Sequence, residues 1–253
     1  MKRLQQSGFT LVEIAIVLVV IGLLLGGILK GQQLINSARV RNLADQNSGV
    51  QAAYYGFIDR FRNLPGDMTC TAAVAAVGAA VDSDCSATPI GGSGATGGNG
   101  RIDTVVEAAA VWSHLSVAGF LTGTYSGAAT DATTYKNGVA TNAIPPNAFQ
   151  GSILLAHLSD YVEGNAEGTI VRLGYSFGGN IPVRLLRDLD QKLDDGVAGS
   201  GVLRSAFGQA TPAGTFGVIV EATGVDCVSA TTVNPQTWNV DSSNQSCNGI
   251  FLY

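Results

Sequence analysis

The stretch Ser7-Gly8-Phe9-Thr10-Leu11-Val12-Glu13, continued by a nearly unbroken apolar run from Ile14 to Leu29, decides how the rest of the chain is read. Lys2 and Arg3 precede it, and Glu13 is the one ionisable side chain between Phe9 and Leu29. At about 1.5 Å of rise per residue, roughly 20 such residues cross a bilayer core about 30 Å thick. The run therefore predicts a membrane helix with one acid near its start. A cleaved secretory signal has a shorter apolar core and a small-residue cleavage site after it. Here the run passes through Gly26-Gly27-Ile28-Leu29 into Lys30 and a helix-compatible sequence beyond. A carboxylate in hydrocarbon costs about 2.5–3.5 kcal/mol even on insertion scales, so Glu13 asks for a partner. Scission between Gly8 and Phe9 would create one, an α-amino group four residues upstream.

Gly8-Phe9-Thr10-Leu11-Val12-Glu13 behind a short basic leader resembles the class III signal of type IV pilins and type II secretion pseudopilins. The resemblance covers about the first thirty residues closely and the rest in outline. It implies cleavage after Gly8 by a membrane prepilin peptidase and N-methylation of Phe9. It also implies packing of the exposed helix against other pilin subunits at an inner-membrane assembly platform, with Glu13 neutralising the Phe9 amine of a neighbour. The fold it implies is α+β and type IV pilin-like: a long N-terminal helix packed on a globular head with a small antiparallel sheet. The expected divisions are a leader at 1–8, a long helix at 9–64 with its transmembrane part at 9–29, and a periplasmic or extracellular head at 65–253.

Lys2 and Arg3 favour a cytoplasmic leader by the positive-inside tendency, leaving everything after Lys30 outside the bacterial inner membrane. Lys30, Arg39 and Arg41 on the outer flank weaken that asymmetry. Losing the leader removes two positive charges that would be costly in a filament core. An ion pair between Glu13 and an amine then specifies register more than it stabilises, since its chief effect is that neither charge is left alone in a dry setting.

The formal charge is −5, and removing Lys2 and Arg3 from the 14 basic residues leaves 12 against 19 acids, a balance of −7. That argues against nucleic acid as a partner, which would call for a basic surface. Arg172, Arg184 and Arg187 are the local exception. Four cysteines, Cys70, Cys85, Cys227 and Cys247, lie downstream of the anchor, where an oxidising compartment lets them pair. Three connectivities are formally possible. Proximity favours Cys70 with Cys85 and Cys227 with Cys247, each closing a loop worth about 3 kcal/mol in the chain-entropy view. The second pairing resembles the disulfide that closes the C-terminal loop of many type IV pilins. A zinc site is disfavoured, because no C-x-x-C occurs and His114 and His157 lie far from any cysteine.

No proline interrupts the sequence from Gly31 to Leu64, and Leu43, Val50, Tyr54, Phe57, Phe61 and Leu64 recur at helical spacing. One helix is therefore expected from Phe9 to about Asn63, ended by Leu64-Pro65-Gly66-Asp67. Gly22, Gly26, Gly27 and Gly31 each lower helix propensity by about 1 kcal/mol relative to Ala, which suggests local unwinding during assembly. Gly92, Gly94 and Gly97 satisfy G-x-G-x-x-G, but no strand precedes them, so a flexible linker is expected rather than a dinucleotide loop.

Thr104-Val105-Val106-Glu107 reads as a capping box opening a helix through Ala108, Val111, Leu115 and Ala118. Trp112 and Leu115 are expected in the core, and His114, one residue off that face, at the surface. Ala128 to Asn147 reads as irregular and exposed. Ser152–His157 and Thr169–Phe177 are expected to pair as antiparallel strands, with further strands at Thr215–Ala222 and Asn248–Tyr253. Another helix opens at Ile181-Pro182-Val183 and runs through Leu185, Leu186, Leu189 and Leu193. Asp188, Asp190, Asp194 and Asp195 cluster near its end, before Gly196. They do not form a D-x-D-x-D-G loop, so a solvated helix terminus with a turn at Asp195-Gly196 is expected, with calcium as the alternative weighed against it.

Motifs for catalysis are missing: there is no G-x-S-x-G, no phosphate-loop lysine and no H-E-x-x-H, and nothing singles out either of the 2 histidines. The expected role is structural, with no enzyme activity and no cofactor. The expectation is a subunit of a pilus or secretion pseudopilus, and its head of about 190 residues favours a minor one. The competing readings are an adhesive or DNA-uptake pilin and a membrane-anchored periplasmic protein that never polymerises.

Overall fold

The computed structural model describes residues 11–78, 81, 97–129, 131–207, 216, 219, 227–243 and 245–253. Its first element, α1, is a single helix over Leu11–Phe61. Two compact units, Met1–Arg39 and Val40–Tyr253, divide within it. From Val40 onward α1 buries Val40, Leu43, Asn47, Val50, Ala53, Tyr54 and Phe57, the three-and-four spacing of a helix with one covered face. Phe61 and Leu64 pack half-buried on the same core. The helix stops where Arg62 adopts a left-handed φ of 56° just before Leu64-Pro65.

Gly66 then turns the chain onto the next long helix, with a φ of +89° that a side chain would strain. A Cβ there would also collide with the carbonyl oxygen of Glu107. A short helix, α2 at Cys70–Ala76, follows under an N-cap from Thr69. Asp67 holds the end of the glycine-rich segment: its Oδ1 accepts from the backbone N–H of Gly98 at 2.7 Å and of Asn99 at 3.1 Å, and its Oδ2 from that of Gly100 at 2.7 Å. The described end of that segment is therefore tied down rather than free. Gly92 and Gly94 lie outside the described residues.

The capping box is present as expected. Thr104 and Glu107 exchange hydrogen bonds at the head of α3, Val105–Val117. This helix has no polar face, for every residue from Glu107 to Leu115 is buried. That corrects the surface expectation for His114, which is fully buried. Its Nδ1 accepts the Gly66 N–H at 3.0 Å, its Nε2 is buried without a hydrogen-bond partner among the described residues, and its ring lies 6.1 Å from that of Phe57. Burial pushes the His114 pKa down from 6.5 to about 4.

Because the folded protein disfavours the protonated ring, it binds fewer protons than the unfolded chain between about pH 4 and 6.5. Stability from this group is complete above that window and is lost as pH falls through it. A tenfold change in a protonation equilibrium is equivalent to about 1.4 kcal/mol, so the stability gap between wild type and a His114→Gln variant should shrink by about 2 kcal/mol from pH 7 to about 4.5. Denaturant unfolding of both proteins in detergent at the two pH values checks this; an unchanged gap would contradict it.

Ala128 to Asn147 is more ordered than its sequence suggests. Asp131 caps α4, Ala132–Asn137, and a 3-10 turn at Gly138–Thr141 follows. Tyr135 is completely buried and takes part in a polar chain, accepting from Trp112 Nε1 at 2.9 Å and donating to the Ile153 carbonyl at 2.8 Å.

The sheet comprises β1 (Leu154–Leu158), β4 (Arg172–Ser176), β5 (Leu203–Ser205) and β6 (Gly249–Leu252), while β2 (Val162–Glu163) and β3 (Ala166–Glu167) form a small hairpin. Strand order is β1-β4-β6-β5, every neighbour antiparallel, with Leu155 opposite Tyr175 and Phe251 opposite both Tyr175 and Leu203. The expected β1–β4 pair and terminal strand are both present. The strand expected at Thr215–Ala222 falls mostly outside the described residues. Tyr253, just past β6, donates its hydroxyl to Asn47 Oδ1 on α1 at 2.8 Å. Between β4 and β5, α5 spans Val183–Leu193 behind Pro182, with Leu185, Leu186 and Leu189 buried. The architecture is α+β: a long N-terminal helix followed by a globular part with a small antiparallel sheet.

Candidate assembly helix

The first half of α1 carries its apolar residues outward. Leu11 to Leu29 are exposed throughout, Leu11 at 90% and Leu23 at 72% of their accessible surface. Leaving a large aliphatic side chain in water forgoes about 1.5–3 kcal/mol relative to burying it, so a surface of this length calls for lipid or protein around it. By length and composition α1 is the one helix among the described residues able to cross a membrane. Gly22, Gly26, Gly27 and Gly31 all lie in unbroken helix with open space where a Cβ would be. Glu13 lies in the first turn of the described part of α1. Gly8 and Phe9, on either side of the expected scission, lie outside the described residues.

The head holds the remaining candidate residues, and the structure gives most of them structural work. Cys227 and Cys247 form a disulfide. Cys70 is also disulfide-bonded, and its expected partner Cys85 lies outside the described residues. His157, like His114, uses Nδ1 to accept a backbone N–H, that of Ile102 at 2.9 Å. Burial first, then Arg101, pushes its pKa down. Of the arginines, Arg184 donates Nε to the Val240 carbonyl at 2.8 Å, and Arg187 pairs with Asp188 at 3.0 Å.

At the acidic end of α5 the expected turn at Asp195-Gly196 is present and Asp195 is exposed, but Asp190 is buried rather than solvated. Asp194 leaves the helical conformation and Gly196, at φ +79°, lets the chain turn sharply after Asp195. Carboxylate oxygens of Asp190, Asp194 and Asp195 come within 4.8 Å of one another. Asp190 is completely buried and accepts from Trp238 Nε1 at 2.7 Å. Burial lifts its pKa to about 6, the Trp238 hydrogen bond opposing that rise.

Residues 3–29 match the prokaryotic N-terminal methylation motif. This motif is consistent with a type IV pilin-like protein. No curated protein and no solved structure gives a significant match to it. The motif ends where the exposed apolar run of α1 ends, so the pilin-like signature and the surface that needs covering coincide. It supports a pilin or pseudopilin-like protein processed by prepilin peptidase and points to a structural role rather than an enzymatic one. The apolar helix fits a membrane-anchored protein, and the motif suggests other pilin subunits as partners. The sequence signal for the exposed apolar helix is local, contained within residues 3–29. The cluster of Asp190, Asp194 and Asp195 before Gly196 is legible in the sequence, whereas the burial of Asp190 against Trp238 is not, because Trp238 lies 48 residues further on.

Proposed function

We propose that the protein is a structural subunit, a minor one, of a type IV pilus or type II secretion pseudopilus. The observation that carries this reading is a methylation motif at residues 3–29 leading into a helix whose apolar side chains are exposed. In this reading the precursor sits in the inner membrane with Lys2 and Arg3 on the cytoplasmic side and the head in the periplasm. Prepilin peptidase cuts between Gly8 and Phe9, Phe9 is N-methylated, and α1 leaves lipid for a bundle of like helices. Glu13 then answers the Phe9 amine of an adjacent subunit, where leaving either charge alone would be costly. A head of about 190 residues favours a sparsely incorporated position over a repetitive one.

The experiment is mass spectrometry of the protein isolated from its host. The expected mature form starts at Phe9 and carries one methyl group on its amine. Retention of residues 1–8, or a start elsewhere, would overturn the proposal.

A further inference from the structure

We propose that copies of this chain meet head to tail, with Tyr55 on α1 of one seated in a pocket beside α1 of the next. This rests on the assembly role proposed above and supplies the residues through which successive copies touch. The pocket has a volume of about 190 Å³ and is lined by Gln46, Gly49 and Val50 of α1 together with Leu121, Pro145 and Ile153. Pockets for drug-sized ligands measure about 300–1,000 Å³. This one has room for a single large side chain.

The chemistry of the wall says which side chain. Val50, Leu121, Pro145 and Ile153 are apolar, and Gln46 is the polar group set among them. Its Nε2 donates to the Pro146 carbonyl at 2.9 Å, while its Oε1 is closed off from water with no donor among the described residues. An acceptor buried in that way is costly, and a hydroxyl entering the pocket supplies the donor once the amide turns toward it. The occupant therefore needs an apolar body with a donor at its tip, as a tyrosine has. Tyr55, at 51%, is the one exposed aromatic side chain among the described residues.

Tyr55 cannot fill the pocket of its own chain. From Gln46 to Tyr55 the helix makes about two and a half turns at 3.6 residues per turn, so the two lie on opposite sides of α1. For the same reason one partner cannot engage both at once in a two-fold dimer, which presents the same patch on each copy. The contact is heterologous, the kind that extends into an open series. At about 1.5 Å of rise per residue, Tyr55 stands about 9–14 Å further along the axis than Gly49 and Gln46, so copies with parallel helices are staggered by about that distance. A sparsely incorporated subunit then enters as a short run of copies rather than singly.

The test crosslinks neighbours while leaving Tyr55 in place. Ala52 is exposed on the turn before Tyr55, and Thr122 is exposed where it lines the pocket. Full-length Ala52→Cys and Thr122→Cys proteins are co-expressed in the host, treated with a short bismaleimide, and scored for dimer in sheared filaments and in washed membranes. The mixed pair should give a dimer that neither protein gives alone. Adding Tyr55→Ala to the first protein, or Gly49→Leu to the second, should lower the dimer at least tenfold. The leucine fills the pocket without collision, since nothing lies within 4 Å of a Cβ at Gly49. Tyr55→Phe should fall between, and a yield equal to that with tyrosine would overturn the part given to Gln46. No dimer in either fraction, an unchanged yield with Tyr55→Ala or with Gly49→Leu, or a dimer from one single-cysteine protein alone would overturn the contact. The mature N-terminus reports separately on the assembly role, so a methylated start at Phe9 without crosslinking sinks this inference alone.

Discussion

Glu13→Ala leaves the protein in the membrane and removes it from the filament fraction. Membrane residence should be retained or improved, because the change deletes the one charge in the apolar run and about 2.5–3.5 kcal/mol of insertion cost. Assembly responds in the opposite sense. In the proposed bundle the Phe9 amine of a neighbour would lose its acid, and breaking one partner of a buried pair costs about 3–5 kcal/mol. That corresponds to roughly a hundredfold or greater loss of incorporation. Immunoblots of sheared filaments against washed membranes give the ratio directly. Wild-type incorporation by the variant would show that Glu13 does not serve assembly, and depletion from the membrane itself would point to an insertion defect instead.

Trp112→Ala should be the most damaging single change in the head. Trp112 is completely buried on α3, and its Nε1 donates to Tyr135, whose hydroxyl in turn donates to the Ile153 carbonyl at the edge of β1. Truncating a buried tryptophan costs about 3–5 kcal/mol through lost apolar burial and the cavity left behind. The Tyr135 hydroxyl also loses its donor in a site closed to water, adding about 1 kcal/mol. Against a typical total of about 5–15 kcal/mol, this is enough to leave a substantial fraction unfolded at growth temperature. Trp112→Phe separates the two contributions, since it keeps most of the volume and deletes only the hydrogen bond. Urea unfolding should rank the three proteins wild type, Phe, Ala. A loss below about 1 kcal/mol in the alanine variant would mean that the site collapses to fill the space.

Both predictions concern residues that the sequence already marked, and the reasons differ. Glu13 stands out because one charge in an apolar run has no neutral explanation, whereas Trp112 stands out by its position on a capped apolar run. The long helix, the capping box at Thr104 and Glu107, the β1–β4 pair and α5 are legible because each is written in a contiguous segment. His114 is misread because a residue one step off an apolar face is exposed only if the helix has an outer face, and α3 is covered from Glu107 to Leu115. The helix α4 escapes because six residues show no period, although Asp131 followed by Thr134 is a usable capping signal. β5 has three residues and pairs with a strand more than forty positions later, a relation no local pattern encodes. The cluster of Asp190, Asp194 and Asp195 is legible in the sequence, but the hydrogen bond that buries Asp190 against Trp238 escapes for the same reason.

The strand latest in sequence, β6, lies between β4 and β5 rather than at a border of the sheet. A chain made from its N-terminal end delivers β4 and β5 well before the strand that joins them. Until β6 arrives, both present bare backbone toward the vacant slot, the arrangement that recruits foreign strands and starts aggregation. Closure of the sheet therefore waits on β6, and a product that lacks it is left with two bare strand edges rather than a finished sheet.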